Sequence, residues 1–281
     1  MSRRQRGFAL LIVLWTVGFL ALLGTRIVAA GRSDSQLAGN LKQEAELAAA
    51  ADGAVSEVMF RMLAAHDPGF QADGRVRAFR VGATPVLVRI EHESDRINLN
   101  TAPAALLRAL VIQVGGAPAL GDRLAAAILD WRTSGITPRS GGAKATEYRA
   151  AGLGYGPPGA PFRRVEELAD VLGITPDLYA RMAPHLTVLS DGDPDMSTGD
   201  PVVARALTDA AGVAEVTGEA EQPIDETFRI SVTAQGAGSA RYSLVAVASA
   251  DFQTATPHVN ILLHERGSIV TNAAALYSSV R

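Results

Sequence analysis

From Phe8 to Thr25 the chain runs FALLIVLWTVGFLALLGT without a charged residue, preceded by Arg3, Arg4, Arg6 and Gly7. At 1.5 Å per residue such a helix reaches about 27 Å, close to the roughly 30 Å of a bilayer's hydrocarbon core. Beyond Arg32 the apolar residues change from continuous to periodic: Leu37, Leu41, Leu47, Ala50, Ala54, Val58 and Met62 recur at helical spacing. Gly31, Gly39 and Gly53 interrupt the pattern, each at a cost of about 1 kcal/mol. The pattern predicts one long helix, apolar on all sides at first and amphipathic later.

A shift to period two follows. VGATPVLVRIEHES, Val81 to Ser94, places Val86, Val88 and Ile90 on one face of a strand. Helical signals then return in DRINLNTAPAALLRAL, where Asn100 or Thr101 is expected to cap a helix with Pro103 in its first turn. LGDRLAAAILDWR predicts a second helix, and RRVEELADVLGITPDLYARMAPHL two more, broken at Gly173 and Pro176. A long Gly- and Pro-rich loop, TSGITPRSGGAKATEYRAAGLGYGPPGAP, divides this helical unit. MSTGDPVVARAL, Met196 to Leu207, lines up with LNTAPAALLRAL, Leu99 to Leu110, and predicts a further capped helix. After the acidic connector GEAEQPIDET, three strands are expected in FRISVTAQ, RYSLVAVASA and HVNILLHER, with GAGS turning the first into the second.

Composition narrows the chemistry. The 281 residues carry a formal charge of −3, which provides no general attraction for nucleic acid. Cysteine is absent, excluding disulfides, thiolate metal sites and thiol catalysis. Histidines 66, 92, 185, 258 and 264 are scattered without ligand spacing, and no nucleophile or phosphate-loop motif occurs, so no enzyme activity is expected. Two groups of carboxylates are candidates for a hard cation: Asp130 with Glu147, and Asp191, Asp193 and Asp195. For the second group a solvated turn is an equal reading.

The N-terminal segment has three possible fates. Ala29, Ala30 and Gly31 fit the small-residue site of a cleaved secretory signal. The run is also long enough to stay as a short, uncut membrane helix, its basic flank holding the N-terminus in the cytoplasm. The continuing helical pattern favours a third possibility. The basic leader, Gly7, Phe8 and FALLIVLW resemble a type IV prepilin-type leader. Taken with INLNTA, AAAILDWR and FRRVEELADVLGI, the chain resembles the K-type minor pseudopilin of type II secretion, the general secretion pathway protein K family.

That resemblance implies processing between Gly7 and Phe8 by a prepilin peptidase, with methylation of the new amine, and single-pass residence in a Gram-negative inner membrane with the bulk in the periplasm. It implies an α+β, pilin-like fold with a long N-terminal transmembrane helix, a C-terminal antiparallel sheet and an inserted all-helical domain. The expected division is leader 1–7, membrane segment 8–30, helix and first strands 31–95, helical insertion 96–190, helix and connector 191–225, and final strands 226–281. The implied function is that of a filament-tip subunit that initiates pseudopilus assembly and supports protein export, with I-type and J-type minor pseudopilins as partners. Ile12 stands where most pilins carry a glutamate, as expected of a subunit with none above it. The family also implies calcium, but its acidic pattern after the tryptophan, roughly DWxDxD, reads here Asp130, Trp131, Arg132, Thr133 and Ser134, so two acids are missing.

A different function attaches to the same helices. VGGAPALGD and VLGITPDLY resemble the turns of helix-hairpin-helix modules in membrane-anchored DNA-binding competence proteins. Asp122 and Asp177 stand where a phosphate would approach, which argues against nucleic acid as a partner.

Overall fold

The computed structural model describes residues 3–65, 69–190, 192–212, 226–251 and 258–267. Helix α1, Arg3–Ala65, is 63 residues long and spans roughly 95 Å. Gly7, Phe8 and Ile12 belong to it, though their side-chain environments lie outside the described residues. Between Val13 and Leu23, eight large apolar side chains, Trp15 and Phe19 among them, are exposed. Among the described residues, no helix is long and apolar enough to cross a membrane.

The second half of α1 lies on a sheet. Strands β1 (Asp73–Val81), β2 (Thr84–His92), β5 (Glu226–Gln235), β6 (Arg241–Asp251) and β7 (His258–Gly267) form it in the order β1-β2-β5-β6-β7, each antiparallel to its neighbour. The spacing read from the sequence explains the packing: Leu47, Ala50, Ala51, Ala54, Val55 and Val58 form one buried stripe of the helix. Against it the strands send alternate residues, Val86, Val88 and Ile90 from β2 and Ile230, Val232 and Ala234 from β5. The alanines let the helix approach the sheet closely, and GAGS does form the β5–β6 turn, with Gly236 donating to the Ala240 carbonyl at 2.8 Å. Strand β1 had no counterpart among the strands predicted individually.

Between the neighbouring strands β2 and β5 the chain leaves the sheet and builds a second core. A two-residue parallel pair, β3 (Ile97–Asn98) with β4 (Leu186–Thr187), brings the outgoing and returning chain side by side. Within lie α2 (Ala104–Gln113), α3 (Pro118–Arg132), α4 (Ala145–Ala150) and α5 (Pro176–Met182), with α6 (Pro201–Ala211) following β4 and packing on α2. Leu107, Leu110, Leu124, Ile128, Tyr148, Leu168 and Met182 are fully enclosed here.

Two local expectations need correction. Neither Asn100 nor Thr101 caps α2; the N-cap is Pro103, without a side-chain bond. Asn100 instead pairs its amide with the peptide of Phe162, accepting from the nitrogen at 2.8 Å and donating to the carbonyl at 2.9 Å. VEELAD forms a 3-10 turn, Val165–Asp170, rather than an α-helix. Gly173 at φ 94° follows it, leaving only a short run before α5 is restarted by the Thr175 cap. The predicted second capped helix does appear as α6, and in the alignment with Leu99–Leu110 its first residue, Pro201, falls opposite Ala104, the first of α2.

Candidate functional site

The two halves of the fold meet at Glu93, in a 3-10 turn, Glu93–Asp95, directly after β2. Its carboxylate has no solvent exposure, so its charge needs partners. Arg229 of β5 supplies two, Nε to Oε2 at 2.7 Å and Nη2 to Oε1 at 2.6 Å. The Thr187 hydroxyl of β4 donates to Oε1 at 2.5 Å, and Arg96 Nη1 stands 3.7 Å from Oε2. Burial works to lower the pKa of Arg229, but the hydrogen bonds and charge of Glu93 outweigh it and raise the guanidinium above its ordinary value. Arg96 extends the network to Glu91 at 2.9 Å and to the Pro184 carbonyl at 3.1 Å. Asp95 accepts from the Gly199 nitrogen at 2.9 Å. Three residues of one four-residue stretch, Glu93, Asp95 and Arg96, thus tie the sheet to the base of the helical unit.

The carboxylates singled out as cation ligands lie on separate supports. Asp130, in the last turn of α3, is buried and faces the loop leading to α4. Its Oδ2 accepts from the Arg139 backbone nitrogen at 3.0 Å, and Arg139 Nε lies 3.5 Å from Oδ1. Glu147, in α4, accepts from the backbone nitrogen of Lys144 at 2.8 Å and so fixes the start of its own helix. Asp193 accepts from the Thr101 hydroxyl at 2.9 Å. Loss of surrounding water raises its carboxyl above the ordinary value, opposed by Thr101 and Arg132. Asp195 closes a tight turn by accepting from the Ser197 hydroxyl and backbone nitrogen, which hold its carboxyl below the ordinary range. Asp191 lies outside the described residues. Among the described residues, no three acidic or histidine side chains converge as a metal-binding group.

The tryptophan that marks this region sits in an aromatic cluster. Trp131 stacks on Phe162 with ring centres 5.8 Å apart and meets Tyr148 at 6.3 Å. Burial pushes the Tyr148 phenol up to about 12. Its oxygen accepts from the Leu172 nitrogen at 2.9 Å. Arg132 turns back from α3 to donate to the carbonyls of Leu99 and Ala102 at 2.5 and 2.8 Å, fastening the approach to α2.

The turns resembling helix-hairpin-helix modules are closed by the chain itself. Gly116 packs so tightly that a Cβ there would lie 2.6 Å from Val111 Cγ1. Asp122 pairs with Arg108 at 2.7 Å, and Asp177 pairs with Arg181. Both acids stand on the exposed side of these turns, so the charge offered to a phosphate is not a basic patch. Glu93, Arg229 and Lys144 were not among the sequence candidates; the only trace of Glu93 was an acid directly at the end of a predicted strand.

Comparison with known proteins agrees with this architecture. Residues 87–191 match the family model of "Type II secretion system (T2SS), protein K". Type II secretion system protein K of Pectobacterium carotovorum subsp. carotovorum is 25% identical over 214 residues, which cover 67% of this chain and 64% of that protein. Its namesake in Klebsiella pneumoniae is 26% identical over 213 residues, covering 68% and 65%. The chain therefore spans slightly less than two thirds of the length of these relatives. A crystal structure of the GspK-GspI-GspJ complex from the enterotoxigenic Escherichia coli Type 2 Secretion System has the same fold, with a TM-score of 0.61 at 14% identity over 84% of this chain and 99% of that one. None of these matches lends support to the DNA-binding reading. With a matching domain at residues 87–191, two relatives of one name and a shared α+β fold, this chain is a relative of the type II secretion system K proteins.

Proposed function

We propose that the chain is a non-catalytic minor pseudopilin of the K type, seated at the tip of a type II secretion pseudopilus, where it helps to start assembly and so supports export across the outer membrane. The observation that carries this reading is the helical unit emerging between the adjacent strands β2 and β5, a bulk that a repeating filament lattice has no room to accommodate. The exposed apolar stretch from Val13 to Leu23 supports a place among lipid tails before assembly and partner helices afterwards. It motivates the single-pass inner-membrane assignment of residues 8–30. Ile12 leaves no carboxylate to pair with the amine of a subunit above, and an unpaired charge in an apolar core is costly. Gly7 and Phe8 mark the expected cut by a prepilin peptidase. Partners of the I and J types are proposed by analogy with the complex of shared fold.

Immunogold labelling of pseudopili with antibody to the helical unit tests the placement. Label confined to one end is expected; label distributed along the shaft would overturn it.

A further inference from the structure

The family resemblance implies calcium near the tryptophan loop, and the donor set of this chain does not fit it. Calcium takes six to eight oxygens at about 2.3–2.6 Å. Here both oxygens of Asp130 already face Arg139, one at 3.0 Å from its backbone nitrogen and the other 3.5 Å from its Nε. On the same side, a single Cβ at Gly142 would lie 2.1 Å from Oδ2, so the loop backbone occupies the space where an ion would sit. Glu147 is engaged by the Lys144 nitrogen. Two positions where the family pattern carries acids hold none.

Beside that space the chain supplies a cation of its own, held on backbone carbonyls at the end of α3. Helix α3 ends at Arg132, and its last carbonyls have no partner within the helix. The ammonium of Lys144, a residue 4% exposed, reaches back across the loop and donates to the carbonyls of Asp130 and Thr133, each at 2.5 Å. A positive charge at a helix C-terminus is also favoured by the helix dipole. Lysine is not the usual base of this protein, since of 26 basic residues only Lys42 and Lys144 are lysines. Its compact three-donor head suits converging carbonyls better than a planar guanidinium. Because Lys144 also begins α4, one side chain joins the end of one helix to the start of the next.

We infer that Lys144 closes the loop between α3 and α4 in place of a bound divalent cation, so that this chain holds the loop without calcium. The inference does not depend on the filament position proposed above. It is tested on the full chain purified in detergent, by thermal unfolding in chelator and in about 1 mM calcium, and by titration with terbium(III), a calcium surrogate whose luminescence a neighbouring tryptophan sensitises. Expected are an unchanged midpoint, no sensitised luminescence, and a midpoint for Lys144→Met lower by about 3–8 °C, the cost of leaving buried carbonyls unpaired, that calcium does not restore. If Lys144→Met does not fold, Lys144→Gln, which keeps an N–H donor group without the charge, should show a smaller loss in the same direction. A calcium-dependent rise in the parent chain, tryptophan-sensitised terbium emission, or lysine variants as stable as the parent would each overturn the inference.

Discussion

Replacing Glu93 with alanine removes a carboxylate that no water reaches while leaving Arg229, whose side chain is 20% exposed, facing the vacated space. The loss comprises a bidentate pair at 2.6 and 2.7 Å and the Thr187 hydroxyl bond at 2.5 Å. Breaking a buried ion pair from one side costs about 3–5 kcal/mol. The residual exposure of Arg229 lets it recover some hydration, so a value of about 3 kcal/mol is expected, near the lower bound. For a chain of this size that lowers the midpoint of thermal unfolding by roughly 6–10 °C. Glu93→Gln keeps the shape and one accepting oxygen and should lose about half as much. The double variant Glu93→Met with Arg229→Met removes both charges and should recover most of the stability. Circular dichroism melts of the four proteins measure this. A Glu93→Ala melt within a degree of the parent, or a double variant worse than either single change, would refute the account of Glu93 as the junction between sheet and insertion.

Two further outcomes follow from the geometry. Asp200 caps α6 by accepting from Val202 and Val203 at 2.9 and 3.3 Å and also binds His185 at 2.5 Å; burial works to raise its carboxyl, but His185 and the two backbone bonds outweigh it and lower it. Asp200→Ala should cost about 1–2 kcal/mol at neutral pH. Since a depressed carboxyl stabilises above its unfolded value and loses that contribution as pH falls through the native one, the gap between parent and variant should narrow below about pH 4. A gap unchanged to pH 2 would contradict it. Gly116→Ala places a methyl 2.6 Å from Val111 Cγ1 and 2.7 Å from its carbonyl oxygen, and should cost about 1–3 kcal/mol through overpacking at the turn into α3, seen as an earlier denaturant midpoint with unchanged slope.

The periodic elements were legible because their burial is one-sided. Alternation exposed β2 and β5, and helical spacing gave the stripe of α1 that meets them. Strand β1 escaped because it is an edge strand carrying Arg75, Arg77 and Arg80, with none of its residues fully buried. Asp130 and Glu147 were visible as oxygen donors, but their partners were not. Whether a carboxylate meets a metal, a backbone nitrogen or an arginine depends on how the intervening loop folds. Glu93 and Arg229 lie 136 residues apart, joined only because β2 and β5 are neighbours in the sheet, and no local pattern announces such a pair.

The side-by-side pairing of Ile97 with Leu186 bears on how the chain acquires its structure. Strand β2 must find β5 across the whole helical unit, and the entropy of closing so long a loop makes that encounter slow. Of the helices between them, α2 and α3 pack most extensively and are adjacent in sequence, so this pair can form first, with α6 docking on α2 afterwards. Once they do, β3 and β4 hold the two ends together, and the loop still to be closed shrinks from the 133 residues between β2 and β5 to about the 38 that separate β4 from β5. On this view the insertion, which burdens the fold with an extra core, also guides its assembly, and lesions in β3 or β4 should slow refolding more than they hasten unfolding.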